Sequence, residues 1–206
     1  DHHVGFAFDG DGDRVLAVDR TGAVVDGDEL IALAAKHLEV GGVAVTVMTN
    51  YGFHAAMRDA GIEVATTGVG DRYVLEVLRE RGWALGGEQS GHIIDMGFVP
   101  SGDGIAAALL TMEALAGGDL HDRHAMDKLP QTLVNVRVRD RGALEGAATV
   151  HAAVERESAA LEGRGRVLLR PSGTEPLVRV MVEAPTAEEA ESVCSRLVAL
   201  VEEELT

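Results

Sequence analysis

Three aspartates alternate with two glycines near the start of the chain, in the stretch FDGDGDRV that begins at Phe8. Like charges this close repel one another unless a cation lies among them. Because side chains two residues apart in an extended segment point to the same side, the carboxylates of Asp9, Asp11 and Asp13 can converge. Carboxylate oxygens suit hard divalent cations, so this loop predicts a Mg²⁺ site.

Three carboxylates do not fill the coordination shell of Mg²⁺, which is usually completed by water and phosphate oxygens, so the loop also predicts a phosphate ligand. Arg14 would neutralise that phosphate from the side. A calcium-binding EF-hand starting at Asp9 fits poorly, since it needs glycine and glutamate where the chain has Arg14 and Arg20. A solvated acidic turn stays open as the plain alternative.

A second stretch, RPSGTEP at 170–176, has the composition of an anion-binding loop. Arg170 offers a bidentate donor, Ser172 and Thr174 offer hydroxyls, and Gly173 would let consecutive backbone N–H groups face a phosphate as a nest. The alternative is an ordinary hairpin turn, where proline, serine and glycine are expected. The stretch lacks the Gly-Lys-Ser/Thr sequence of a Walker loop.

A third stretch, GGEQSGH at 86–92, follows a predicted buried strand, at the sheet edge where ligands of open α/β sheets bind. Glu88 can accept hydrogen bonds from two vicinal hydroxyls and Ser90 can add another, which suits a sugar. His92 is assigned to the same substrate-binding set, although a purely structural histidine is the alternative. Asp71, Asp103 and Asn50 stand where helix N-caps belong, and we interpret all three as caps.

The elements around these loops predict an α/β protein in which a three-layer mixed-sheet domain precedes an α+β domain. Short strands at 4–9 and 14–19 flank the aspartate loop, and strands then alternate with helices up to about Leu115. Past Pro130 the pattern predicts a four-stranded antiparallel sheet with helices on one face. The predicted domains are 1–20, which carries the metal loop, 21–118, which binds sugar, and 119–206, which binds phosphate, with a linker at 116–130.

Composition excludes several classes of function. The 34 acidic residues against 18 basic ones give a formal net charge of −16, which disfavours nucleic acid and anionic membranes as partners. The single cysteine, Cys194, and the lack of a signal-peptide pattern predict a cytoplasmic protein. The chain enters an apolar strand within a few residues of Asp1, which suggests a piece of a longer protein.

Taken in order, DGDGDR, VGDRYV, GGEQSGH, SGDG and RPSGTEPLVRV resemble motifs of the α-D-phosphohexomutase family along nearly the whole chain. The resemblance implies four domains around a central cleft, with this chain holding the end of the second and all of the third and fourth. It also implies a role for each motif residue. Magnesium would bind to Asp9, Asp11 and Asp13, and Arg14 would line the catalytic cleft. Glu88 and Ser90 would hold sugar hydroxyls. The distal phosphate of the substrate would be held by Arg170, Ser172, Gly173 and Thr174, with Arg179 assisting.

The family interconverts a 6-phosphosugar and its 1-phosphate isomer through a bisphosphate, and the motifs most resemble bacterial members that act on glucosamine phosphate. Mannose or glucose phosphates, or a sugar-phosphate-binding module without catalysis, are the alternatives. The family's phosphorylated serine lies in its first domain, and this chain has no matching loop. We therefore expect these residues to be inactive without N-terminal domains of the same polypeptide and to bind metal weakly alone. A homodimer of the intact enzyme is a separate expectation.

Overall fold

The computed structural model describes residues 2–206 and divides the chain into two compact units. The first unit ends at Lys128, and the second comprises Leu129–Thr206. The predicted functional boundaries at 20/21 and 118/119 stay predictions. Within the described part of the chain, no helix has both the length and the apolar character needed to cross a bilayer.

A small antiparallel sheet opens the first unit and carries the aspartate loop at its tip. Strands β1 (Gly5–Phe8), β2 (Val15–Val18) and β3 (Val24–Val25) lie in the order β1-β2-β3. Phe8 is paired with Val15, so residues 9–14 form the connection between the two strands. The inward residues of β2, Val15 and Ala17, are fully buried. The loop is therefore held on a hairpin whose base is anchored in the core.

The main sheet of the first unit has five strands in the order β5-β4-β6-β7-β8. The strands are β4 (Gly42–Thr46), β5 (Glu63–Thr67), β6 (Leu85–Gly87), β7 (Ile93–Asp95) and β8 (Val99–Gly102). Strand β4 runs parallel to β5 and β6, whereas the pairs β6–β7 and β7–β8 are antiparallel. The sheet is therefore mixed, as predicted, and the antiparallel strands follow directly after the GGEQSGH stretch.

Helices cover both faces of this sheet. The helices are α1 (Gly27–His37), α2 (Tyr51–Asp59), α3 (Asp71–Arg81) and α4 (Gly104–Leu115). Val43 and Val45 of β4 share a core with α1, α2 and α4, whereas Ala44 packs with α3 on the opposite face. This alternation follows from the two-residue period of a strand. It gives the three layers that the sequence predicted.

The predicted linker at 116–130 is mostly part of the first unit instead. It contains a 3-10 helix, Leu120–Asp122, and its apolar residues Leu120 and Ala125 are buried in the first core. Arg123 adds hydrogen bonds of 2.9 and 2.7 Å to Glu29 of α1. Arg20 also donates to Asp119 and Asp122 of this segment, so buried apolar residues and ion pairs together fasten a segment that is otherwise polar.

The second unit packs two helices on one face of an antiparallel sheet. Its strands are β9 (Gln131–Arg137), β10 (Arg166–Pro171) and β11 (Leu177–Glu183), in the order β10-β11-β9. Helices α5 (Ala148–Ala160) and α6 (Ala187–Leu205) share its apolar core. The predicted four strands are wrong, because the described residues of this unit form three. The polar segment before α5 forms a 3-10 helix at Arg141–Gly146 and adds no strand.

Candidate functional site

The aspartate loop folds so that its three carboxylates converge. One ligand atom from each of Asp9, Asp11 and Asp13 lies within 4.8 Å of the others. Asp9 Oδ1 accepts hydrogen bonds from the N–H groups of Gly12 at 3.1 Å and Arg14 at 3.2 Å. Gly12 has a φ of 75°, a backbone angle that glycine adopts without strain. The glycine and the two N–H groups therefore shape the loop before any ligand is considered.

Charges in this loop are compensated only in part. Arg14 Nε lies 3.7 Å from Asp9 Oδ2 and 3.9 Å from Asp13 Oδ1. Burial raises the pKa of Asp9, but the N–H groups of Arg14 and Gly12, the Asp13 side chain and the Arg14 charge outweigh it and lower that pKa overall. Asp13 Oδ1 is buried without a hydrogen-bond partner among the described residues. The converging carboxylate oxygens of this loop, with Asp13 Oδ1 unsatisfied, fit a hard divalent cation such as Mg²⁺.

The stretch Glu88–His92, which we call the sugar loop, forms a tight turn between β6 and β7. The Glu88 N–H donates to His92 O at 2.9 Å, and the Gly91 N–H donates to Glu88 O at 3.0 Å. Glu88 Oε1 accepts a hydrogen bond of 2.9 Å from the Gly70 N–H. Glu88 is half-buried and Ser90 is exposed, so both side chains can reach a ligand at the surface.

Two contacts join the sugar loop to the aspartate loop. The Val15 N–H donates to Gly91 O at 3.1 Å, and His92 Nδ1 lies 3.1 Å from Asp13 Oδ2. A Cβ on Gly91 would stand 2.0 Å from Val15 O, so only glycine permits this approach. The structure thus brings together two motifs that are separated by more than seventy positions in the sequence.

His92 is held in place from several sides. The side chain is 8% exposed, and Gly102 packs so closely that a Cβ there would lie 2.2 Å from the ring. Its Nε2 is 3.8 Å from Asp71 Oδ2, on the side opposite to the Asp13 contact. This arrangement favours a histidine that orients Asp13, and its assignment as a direct sugar contact stays a prediction.

The cap interpretation holds for two of the three residues. Asp103 accepts N–H bonds of 2.9 Å from Ile105 and Ala106, and Asn50 accepts one of 3.0 Å from Gly52. It is wrong for Asp71, because Gly70 occupies the N-cap position of α3 and no side-chain cap bond is made. Gly70 has a φ of 129°, which starts the helix without a polar cap. Asp71 instead lies beside His92, a proximity that nothing in the local sequence signals.

Asp28 is a residue of this region that sequence reasoning missed. Its side chain is fully buried, and its Oδ2 accepts hydrogen bonds from the Asn50 N–H at 2.9 Å and from Gln89 Nε2 of the sugar loop at 3.2 Å. Burial raises the pKa of Asp28 to about 7, and the neighbouring Asp26 charge raises it further. Hydrogen bonds to the carboxyl group and the charge of Lys128 lower it in part. In the sequence, Asp28 is only one of two acids in a first helical turn, so neither its burial nor its partners could be predicted.

The second unit contains a pair of opposed arginines. Arg170 on β10 is the direct cross-strand neighbour of Arg179 on β11. Arg179 Nε is buried without a hydrogen-bond partner among the described residues, and burial together with the Arg179 charge lowers the pKa of Arg170. Like charges directly opposite one another destabilise a strand pair. An anion bound between the two guanidinium groups would therefore stabilise this strand pair. A phosphate suits this position, because it can accept bidentate hydrogen bonds from guanidinium groups.

The turn beside these arginines, residues 172–176, differs from the predicted nest. Ser172 is 4% exposed, its N–H donates to Leu177 O at 2.8 Å, and its Oγ accepts the Glu175 N–H at 3.3 Å. Gly173 does not have a positive φ, so the backbone does not require glycine there. Gly173 and Thr174 are exposed, whereas Ser172 serves the turn itself. The assignment of all three as phosphate ligands stays a prediction.

Comparison with known proteins assigns a family to both units. The profile described as "Phosphoglucomutase/phosphomannomutase, alpha/beta/alpha domain III" matches residues 26–134, and the profile of the C-terminal domain of the same family matches residues 133–200. A phosphoglucosamine mutase of Parafrankia sp. (strain EAN1pec) is 54% identical over 98% of this chain and 45% of its own length. That of Bacillus subtilis (strain 168) is 45% identical over 98% of this chain and 47% of its own length. The chain thus spans about half the length of these relatives.

Solved structures agree on the fold. The Aspergillus fumigatus N-acetylphosphoglucosamine mutase in complex with GlcNAc-6P and magnesium has a TM-score of 0.77 at 21% identity, and covers 98% of this chain and 49% of its own. An N-acetylglucosamine-phosphate mutase of the alpha-D-phosphohexomutase superfamily, in its product complex, has a TM-score of 0.73 at 23% identity, and covers 96% of this chain and 48% of its own. At such identities the likeness concerns the fold alone. The profile matches and the relatives near 50% identity together confirm that this chain belongs to the phosphoglucomutase/phosphomannomutase family.

Proposed function

We propose that this chain is the metal- and substrate-binding half of a phosphoglucosamine mutase, which interconverts glucosamine 6-phosphate and glucosamine 1-phosphate through a bisphosphate. The observation that carries the proposal is the junction of the aspartate loop with the sugar loop, through Val15 and Gly91 and through Asp13 and His92. A phosphoryl-transfer enzyme needs a cation and a sugar contact held close together. The relatives at 45–54% identity are phosphoglucosamine mutases, which supports glucosamine phosphate as the substrate.

In the first unit, Asp9, Asp11 and Asp13 would hold Mg²⁺, which when bound neutralises charge on phosphoryl oxygens. The Arg14 side chain is 53% exposed, so its guanidinium can turn to a phosphoryl group. The hydrogen bond from its backbone N–H to Asp9 Oδ1 is kept in that movement. Glu88 accepts hydrogen bonds from sugar hydroxyls, and Ser90 adds a donor or acceptor beside it. Phosphoryl transfer depends chiefly on such positioning and charge neutralisation.

In the second unit, Arg170 and Arg179 bind the phosphate of the phosphosugar. The exposed residues Gly173 and Thr174 add a backbone N–H and a hydroxyl, while Ser172 fixes the turn that presents them. Binding the anion relieves the repulsion between the two guanidinium groups. The same residues would serve the 6-phosphate of one isomer and the 1-phosphate of the other.

The phosphoserine of the reaction would lie in a polypeptide segment that precedes these residues, because this chain matches domain III and the C-terminal domain of the family and spans about half the length of its relatives. We place the complete enzyme in the cytoplasm, as a homodimer. The coding sequence upstream of Asp1 tests the first point. It should encode the serine loop of the family, and a sequence without that loop would favour a binding module that has lost catalysis.

The assay that tests the reaction compares glucosamine, mannose and glucose 1-phosphates as substrates of the complete polypeptide. We expect glucosamine 1-phosphate to be turned over fastest, with the 206 residues inactive by themselves. Asp13→Asn should lower turnover by about 100-fold or more through loss of a metal ligand, while the exposed Asp59→Asn should leave it unchanged. Faster turnover of mannose or glucose 1-phosphate would reassign the substrate, and full turnover by Asp13→Asn would refute the metal site.

A further inference from the structure

The sugar loop is fastened to the rest of the first unit through Gln89, the residue between its two sugar-facing side chains. The Gln89 carbonyl accepts a hydrogen bond of 3.1 Å from the Gly27 N–H at the start of α1. Its side-chain Nε2 donates to Asp28 Oδ2 at 3.2 Å. Two consecutive residues of α1 therefore hydrogen-bond to Gln89, one to its backbone carbonyl and the other to its side chain.

The same oxygen of Asp28 reaches a second element. It accepts the Asn50 N–H at 2.9 Å, at the position where Asn50 caps helix α2. A single buried carboxylate oxygen therefore ties together the sugar loop and the starts of α1 and α2. All of these groups lie at the end of the sheet where β4 and β6 finish.

We propose that Asp28 is a positioning residue for substrate binding, which fixes Gln89 and thereby sets the placement of Glu88 and Ser90 toward the sugar. This inference rests on the proposed function, since it deepens the role of the sugar loop. Asp28 itself is fully buried, which closes its side chain to a ligand at the surface. It acts through the Gln89 side chain.

The energetic cost of Asp28 supports a role beyond packing. A buried carboxyl group that makes no ion pair destabilises the fold, and a residue of similar size without charge would fill the same space. The second oxygen, Oδ1, has no hydrogen-bond partner among the described residues. Asp28 Oδ2 accepts two hydrogen bonds, and the Thr49 side chain also interacts with the carboxyl group and lowers its pKa. An asparagine oxygen could accept the same two bonds.

The test uses the 206-residue chain and four variants, with glucosamine 6-phosphate and inorganic phosphate as separate probes in calorimetric titrations. Asp28→Ala and Gln89→Leu each remove one side of the hydrogen bond, Asp28→Asn keeps the acceptor, and Gln131→Leu is the matched control on an exposed position of β9. We expect the first two to weaken glucosamine 6-phosphate binding about tenfold, as for one lost hydrogen bond, and Asp28→Asn to bind within about threefold of wild type. Affinity for inorganic phosphate should stay unchanged in all four.

Amide hydrogen exchange gives a readout that does not depend on binding. The Gly70 N–H reports the Glu88 carboxylate and the Gly91 N–H reports the turn, and both should exchange about tenfold faster in Asp28→Ala and Gln89→Leu. If wild type binds no glucosamine 6-phosphate, the proposed function fails for this chain and these two amides decide the positioning role. If Asp28→Ala does not fold, Gln89→Leu carries the test. Unchanged exchange and unchanged sugar affinity in Gln89→Leu would overturn the inference.

Discussion

The sugar loop of the first unit and the arginine-flanked turn of the second unit are both proposed to bind the substrate, yet they are built in opposite ways. The sugar loop is enclosed, since Gly91 lies against Val15 and His92 lies against Gly102 and Asp13. The turn at 172–176 stands at the tip of a hairpin, and nothing lies within 4 Å of where a Cβ on Gly173 would be.

This difference separates two ways of preparing a site. In the first unit, close backbone contacts and hydrogen bonds fix the geometry of the ligand groups, so shape identifies the site. In the second unit, the opposed charges of Arg170 and Arg179 mark the candidate site, and the turn between them is held by hydrogen bonds of Ser172 while Gly173 stands in open space. Substitutions of the two kinds of loop should therefore have different consequences, by steric strain in one and by charge in the other.

The largest expected effect on stability is the difference between adding a methyl group to the sugar loop and adding one to the turn at 172–176. Gly91→Ala forces a Cβ against Val15 O at 2.0 Å and strains a backbone with a φ of 90°, so we expect a loss of about 4 kcal/mol of unfolding free energy, or no folding. Gly173→Ala has open space and ordinary backbone, and should change stability by less than about 0.5 kcal/mol. Urea unfolding of both variants measures the contrast, and equal losses would remove the distinction between the loops.

The elements and the two candidate loops could be predicted from sequence, but the contrast between the loops could not. The predicted alternation of strands and helices ended at about Leu115, which is the last residue of α4, and local charge and glycine content marked both loops. The hairpin of β7 and β8 was missed, because its strands are three and four residues long and the second contains proline. Segments this short carry too few apolar positions to show a period.

Contacts between distant positions were also beyond sequence reasoning. The proximity of Asp71 to His92 depends on where α3 begins relative to the sugar loop. The burial of Asp28 depends on how the start of α1 meets Asn50 and Gln89, and no local pattern signals either contact. Leu120 shows the same limitation, since one apolar residue in a polar segment gives no sign of burial in a core. A single sequence indicates which residues have useful chemistry, but tertiary packing decides which of them come together.

A second prediction concerns the stability lost by burying the Asp28 carboxyl group beside the sugar loop. The pKa of Asp28 is raised from 3.8 to about 7, so its contribution to stability is present below about pH 4 and is lost as pH rises through 7. Asp28→Asn removes this loss. Relative to wild type, the variant should gain about 2 to 3 kcal/mol more unfolding free energy at about pH 8 than at about pH 5.

Urea unfolding at both pH values measures this difference, with Asp59→Asn as the control for loss of an exposed carboxylate. The charged groups that face Asp28 are Asp26, which adds to the rise in pKa, and Lys128, which opposes it. A pH-independent difference between Asp28→Asn and wild type would mean that the charged form of Asp28 does not destabilise the fold. The sugar loop would then carry no electrostatic strain of the kind proposed for it.

The smallest expected effect tests the charge of the open loop. Arg170→Met removes one of two directly opposed cations, so in phosphate-free buffer it should stabilise the chain by about 0.5 kcal/mol. Inorganic phosphate should raise the melting temperature of wild type by mass action, and should raise that of Arg170→Met much less. Arg137→Met is the matched control, because Arg137 on β9 is exposed and lies opposite Leu177 rather than another arginine. If phosphate stabilises Arg170→Met as much as wild type, the anion binds elsewhere, and the opposed arginines are then a cost of the hairpin that no ligand relieves.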